Sequence, residues 1–162
     1  MQGITGTNEE MKIVIGTDHR GVAVKNELRK YLSTKGFDVT DAGTNSVESC
    51  DYPDYAFVVA EHVSKKLADR GVLVCGSGIG MSIAANKVDG IRAALCLTPL
   101  AAQRSVEHNN ANVLVVSADF TSIEDMKKIV DTWFTAGFTG GRHERRINKI
   151  AEYEQQRCKK LK

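Results

Sequence analysis

The sequence is poor in the features that most often declare a chain's class. It has no apolar run of 18 residues and no recognisable signal peptide, so neither a membrane span nor export is expected. Its four cysteines, Cys50, Cys75, Cys96 and Cys158, are scattered without any C-x-x-C, and its four histidines form no ligand spacing with them. Structural zinc is therefore disfavoured, no metal or cofactor is implied, and free thiols in a reducing cytosol are the expectation. A net charge of +2 gives no bulk attraction to nucleic acid or to a membrane surface. No repeat, low-complexity tract or linker divides the 162 residues, which suffice for one domain with a full core. Residues 1–11 lack periodicity and read as a loose tail, leaving 12–162 as the domain.

What the chain does have is alternation. Strands are predicted at 12–17, 37–41, 72–74, 91–97 and 113–116, and helices at 22–35, 55–69, 81–87, 99–106, 121–135 and 142–157. Residues 45–53 read as a polar connection. Strand–helix alternation over short connections predicts right-handed crossovers and a five-stranded parallel sheet covered on both faces. The strands are runs of Val, Ile and Leu, as such a sheet requires. Sites in this fold class lie outside the carboxyl ends of strands, where Asp18-His19, the segment after Cys75, and Thr98 fall. The last helix differs: it is densely basic, with a thin apolar stripe at Ile147 and Ile150. It reads either as a solvated terminal helix or as one lying across a partner subunit.

Segment 72–80, VLVCGSGIG, is the most informative. A buried strand ends at Cys75 and breaks into Gly76, Gly78 and Gly80, after which a helix starts with Ser77 or Ser82 available to cap it. Such a turn aims several backbone N–H groups outward beside a helix N-terminus, which suits an anion. The same position is expected to lower the Cys75 pKa. A thiolate facing amide donors suits proton transfer, with the donors holding negative charge on oxygen. Taken alone, Cys75 is equally readable as a small core residue. The glycines match neither G-x-G-x-x-G nor a P-loop, so a nucleotide is disfavoured.

Four further segments are candidates. Asp18-His19 ends a strand, and Asp18 can also cap a turn. Tyr52 lies in a segment that is turn-like by composition yet could reach a ligand. His108-Asn109 ends a helix, where an imidazole can either cap or shuttle protons. Arg142 and Arg146, four apart, share one helical face, either solvated or holding an anion.

GTDHRG (16–21), DYPDYA (51–56), VCGSGIGMSIAANKVDGIRAALC (74–96), EHNNANVL (107–114) and GGRHERR (140–146) together resemble the ribose-5-phosphate isomerase B family, within the group that includes the galactose-6-phosphate isomerase subunits. The resemblance spans about residues 12–154. It implies a Rossmann-like α/β/α sandwich without a dinucleotide, homodimeric or in some members tetrameric, with sites at the subunit interface and the C-terminal helix packed on the partner. It implies a cytoplasmic enzyme of the pentose phosphate pathway acting on a small sugar phosphate. By the same resemblance Cys75 is the base moving a proton between C1 and C2, and Ser77 lies beside the reacting oxygens. Loop 76–80 stabilises the enediolate, and His108 opens the furanose ring. Asp18 and Asn109 contact sugar or oxyanion, and Tyr52 lies by the ring-opening site. His19, Arg142 and Arg146 form the phosphate end, with His108 and Asn109 coming from the partner. Members generally carry Arg eleven residues after the ring-opening His, whereas this chain has Asp119. The alternatives are an isomerase of a six-carbon phosphate, such as allose 6-phosphate or galactose 6-phosphate, and a non-catalytic sensor of a sugar phosphate or nucleotide. The galactose enzyme needs two different subunits, which a complete Cys75 and His108 set argues against.

Overall fold

The computed structural model describes residues 10–160, so the predicted tail falls, apart from Glu10 and Met11, outside the described residues. Five strands, β1 (Lys12–Thr17), β2 (Asp38–Asp41), β3 (Arg70–Cys75), β4 (Ala93–Leu95) and β5 (Val113–Ser117), pair in parallel in the order β2-β1-β3-β5-β4. Between and after them run α1 (Val22–Thr34), α2 (Tyr52–Ser64), α3 (Ile79–Ala85), α4 (Pro99–Asn109), α5 (Ile123–Thr135) and α6 (Arg142–Lys160).

Period-two alternation on the strands builds two cores. Val72 and Val74 join Ile13, Ile15, Leu114 and Val116 beneath α1, α4 and α5, around Leu28, Val106, Ile129 and Trp133. Leu73 and Cys75 face the other way, joining Val14, Val113 and Val115 against Ala56, Val59 and Ala60 of α2 and Met81 of α3. The connections β1-α1-β2 and β4-α4-β5 run one way along the sheet on the first face. Those through α2 and α3 run the other way on the second, as a single crossover hand demands. The order therefore reverses between β1 and β3, and a crevice opens at their carboxyl ends. Thr17 pairs with Val74, and Cys75 with Ser117, so the residues after β1, β3 and β5 meet there.

Most element bounds shift by one to three residues: β3 starts at Arg70 rather than 72, β4 shortens to Ala93–Leu95 from 91–97, and α3 is Ile79–Ala85 rather than 81–87. Three larger or more consequential shifts have local causes. Helix α2 begins at Tyr52 rather than 55, because Pro53 in its first turn is compatible with helical φ and Asp54 suits the positive helix end. It ends at Ser64 rather than 69, where Lys66 turns left-handed at φ 58° and Leu67 N–H bonds back to the His62 carbonyl at 2.9 Å. Helix α4 runs past 106 to Asn109, stopped by Asn110 at φ 46°, while Thr98 Oγ1 caps its start by accepting from Ala101 N–H at 3.1 Å.

Candidate active site

The thiol of Cys75 lies at the crevice, on the central strand. Its Sγ donates to Asp18 Oδ2 at 3.0 Å, and the two residues are 7% and 3% exposed. Asp18 stands at the end of β1, next to β3, and its Oδ1 accepts the Arg20 N–H at 3.0 Å, closing a local turn rather than capping α1, whose cap is Gly21. Burial first, then the Asp18 hydrogen bond and charge, push the Cys75 thiol up to about 11, against the downward pull of the Gly76 and Gly78 amides. This corrects the lowered pKa expected from the helix end. Those amides do act in the expected direction, but desolvation and a carboxylate brought in by strand pairing outweigh them.

The loop beyond Cys75 needs its glycines. Gly78 caps α3 at φ +78°, a left-handed conformation costly for other residues, and a Cβ there would stand 2.7 Å from Leu95 Cδ1. Gly80 lies beneath the Tyr52 ring, whose Cζ is 2.5 Å from where a Cβ would be. Tyr52 thus reaches the loop because α2 starts early enough to carry it. Ser77 is half-buried and accepts the Ile79 N–H at 3.3 Å, a long bond, and Ser82 lies inside α3, so no serine side chain caps the Gly78 position itself. Ser117 Oγ donates to the Gly76 carbonyl at 2.6 Å and fixes the loop to β5. His19 Nδ1 accepts the Cys50 N–H at 3.2 Å, which leaves Nε2 to carry the proton of a neutral ring and to donate outward.

Asp18, His19, Tyr52, Cys75, Gly76, Ser77, Gly78 and Gly80 therefore converge. The other predicted residues do not. His108 and Asn109 lie in the last turn of α4, which runs antiparallel to the strands, so they stand at the amino edge of the sheet. His108 stacks on His143 with centroids 4.2 Å apart and planes 3° from parallel, which puts the start of α6, with Arg142 and Arg146, at that same edge. Burial, then the charges of His108, Arg142 and Arg146, hold the His143 pKa below its ordinary value. A six-residue strand spans about 20 Å, far beyond contact range, so within one chain the two groups of candidates stand apart at opposite edges of the sheet. Asp119, which could have repelled an anion, is instead paired with Arg20, Nη2 lying 3.0 and 2.9 Å from its two oxygens. Sequence reasoning passed over Arg20 itself, although it lies inside the GTDHRG segment.

Residues 13–150 match the sequence profile of the family described as Ribose/Galactose Isomerase. The chain belongs to the ribose/galactose isomerase family. Among its ribose/galactose isomerase relatives, ribose-5-phosphate isomerase B of Escherichia coli (strain K12) is 46% identical over 146 residues, 90% of this chain and 98% of that protein. The structure of ribose-5-phosphate isomerase B from Clostridium thermocellum superposes with a TM-score of 0.89 at 48% identity, covering 90% of this chain and 99% of that one. The same enzyme from Mycoplasma genitalium, solved with bound ribulose-5-phosphate, gives a TM-score of 0.87 at 45% identity, covering 90% and 97%.

Proposed function

We propose that this chain is an aldose–ketose isomerase interconverting D-ribose 5-phosphate and D-ribulose 5-phosphate. The observation that carries the reading is the Cys75 thiol, 3.0 Å from the Asp18 carboxylate under the amides of loop 76–80. It is joined to family membership and to a relative solved with the ketose product bound.

The chemistry follows from these groups. The furanose must open first, which needs a proton delivered to the ring oxygen while the C1 hydroxyl loses its own; an imidazole such as His108 does both. Asp18 can receive the Cys75 proton, and the thiolate then removes hydrogen from C2 of the open aldose. The bonding electrons form a C1–C2 double bond and move negative charge to O1. Loop amides, the Ser77 hydroxyl and Asn109 hold that cis-enediolate. Return of the proton to C1, with the O2 proton passing to O1, yields the ketose. Tyr52 walls the sugar, and His19, Arg142 and Arg146 hold the phosphate.

Two copies are needed. His108, Asn109, Arg142 and Arg146 of one chain complete the crevice of another, and a twofold arrangement gives two sites per homodimer. Exposed apolar side chains support this: Ile79 and Ile83 of α3 and Leu97 and Leu100 at the start of α4 are each more than 40% exposed. Helix α6, in which no described residue is buried, fits packing on a partner.

The test is an isomerase assay over pentose and hexose phosphates, with Cys75→Ala beside the native chain. Ribose 5-phosphate should be the preferred substrate. The variant should lose well over tenfold in kcat, more than about 1.4 kcal/mol of barrier, while still binding sugar phosphate. A variant retaining a tenth of native kcat, or a native preference for a hexose phosphate, contradicts the reading.

A further inference from the structure

One charged pair at the crevice is not used by the mechanism above. A Cβ on Gly76 would stand 2.8 Å from Arg20 Cζ, 2.9 Å from Nε and 3.0 Å from Nη1. The guanidinium therefore lies against Gly76, the first residue of the loop. It is held from both directions. The Arg20 N–H donates to Asp18 Oδ1, and Asp18 Oδ2 accepts the Cys75 thiol. Its Nη2 donates to both Asp119 oxygens, and Asp119 is itself fixed by its own N–H, which donates to the Gly76 carbonyl at 3.0 Å. Arg20, Asp119 and Gly76 thus form a closed contact along the rim of the loop, next in sequence to His19.

Stability does not account for this placement. The Arg20 and Asp119 side chains are 56% and 38% exposed, and an ion pair that open to water adds little to folding. What the arrangement does achieve is orientation. With Nη2 given to Asp119, the guanidinium plane is held, and Nε and Nη1 keep hydrogens for separate charge-assisted bonds to an anion. The Asp119 charge is compensated within the pair, so it repels an anion less than a free carboxylate would.

Resting on the isomerase reading, we propose that Arg20 is a substrate-binding residue that receives the phosphate of the sugar phosphate at the rim of loop 76–80, and that Asp119 is the positioning residue that fixes its guanidinium there. A corollary concerns Asp119→Arg alone. It adds no useful charge, since it sets a second guanidinium against Arg20.

The test uses the full chain with Arg20→Gln, Asp119→Asn and the double variant. Two quantities are read: steady-state kinetics on ribose 5-phosphate, and calorimetric binding of inorganic phosphate. Arg20→Gln should raise KM and the phosphate Kd about tenfold, as loss of charge-assisted hydrogen bonds implies, with kcat changed less than about twofold. Asp119→Asn should raise both by a smaller factor, about threefold, and the double variant should be no worse than Arg20→Gln, because Asp119 acts only through Arg20. If Arg20→Gln leaves both KM and phosphate Kd within twofold of native, the pair is a rim ion pair and the proposal fails. Additive losses in the double variant overturn the positioning role of Asp119. A native chain that binds phosphate through Arg20 yet does not isomerise ribose 5-phosphate would overturn the isomerase reading and uphold the phosphate site.

Discussion

Asp18 accepts the Cys75 thiol on one carboxylate oxygen and the Arg20 amide on the other, so one buried residue adds to burial in keeping the base protonated. Alkylation of Cys75 by iodoacetamide, followed on its own peptide by mass spectrometry, should rise through the alkaline range with a midpoint of about 11. Asp18→Asn should move that midpoint down, because the carboxylate both accepts the thiol proton and repels the thiolate. An unmoved or raised midpoint would show that Asp18 does not govern the thiol. The role of Cys75 as a candidate base was legible from its place before three glycines. Its environment was not, since the deciding partner stands 57 residues away in sequence and arrives only through pairing of β1 with β3. The pairing of Asp119 with Arg20 was hidden for the same reason, the two being 99 residues apart.

At the scale of elements, hydrophobic runs located all five strands and six helices, with several bounds off by one to three residues and the ends of α2 and α4 misplaced most consequentially. DYPDYA reads as a turn by composition, but a Pro in the first helical turn is equally compatible with a start, and no glycine marks where α2 stops. Those few residues matter, because they decide that Tyr52 reaches Gly80 and that His108 lies on a helix. The loop after β2 is held by a group that composition did not reveal. Lys25 on α1 is fully buried, its Nζ 2.7 Å from Asp41, 3.0 Å from the Thr44 carbonyl and 2.7 Å from Asn45 Oδ1. Lys25→Met leaves Asp41, whose side chain is 11% exposed, with only Arg29 at 3.6 Å and the Gly43 N–H at 3.0 Å, and should cost about 3 kcal/mol in denaturant unfolding. A loss below about 1 kcal/mol would mean that solvent replaces the lysine and the cluster does not hold the loop.

The sheet as a whole sets where chemistry can occur. Its order reverses between β1 and β3, which puts Asp18 and Cys75 side by side, and the antiparallel run of α4 puts His108 at the far edge. Strand alternation made the sandwich legible; strand order, and hence which candidates meet within one chain, depends on long-range pairing that local pattern does not encode. The central claim is that each working site takes Cys75 from one chain and His108 from another. Mixing Cys75→Ala with His108→Ala and allowing the subunits to exchange tests it directly, with ribose 5-phosphate as substrate. Each variant alone should be nearly inactive. With equal amounts, half of the dimers are mixed and each holds one intact site of two, so activity should recover to about a quarter of native. No recovery after verified exchange would contradict the account.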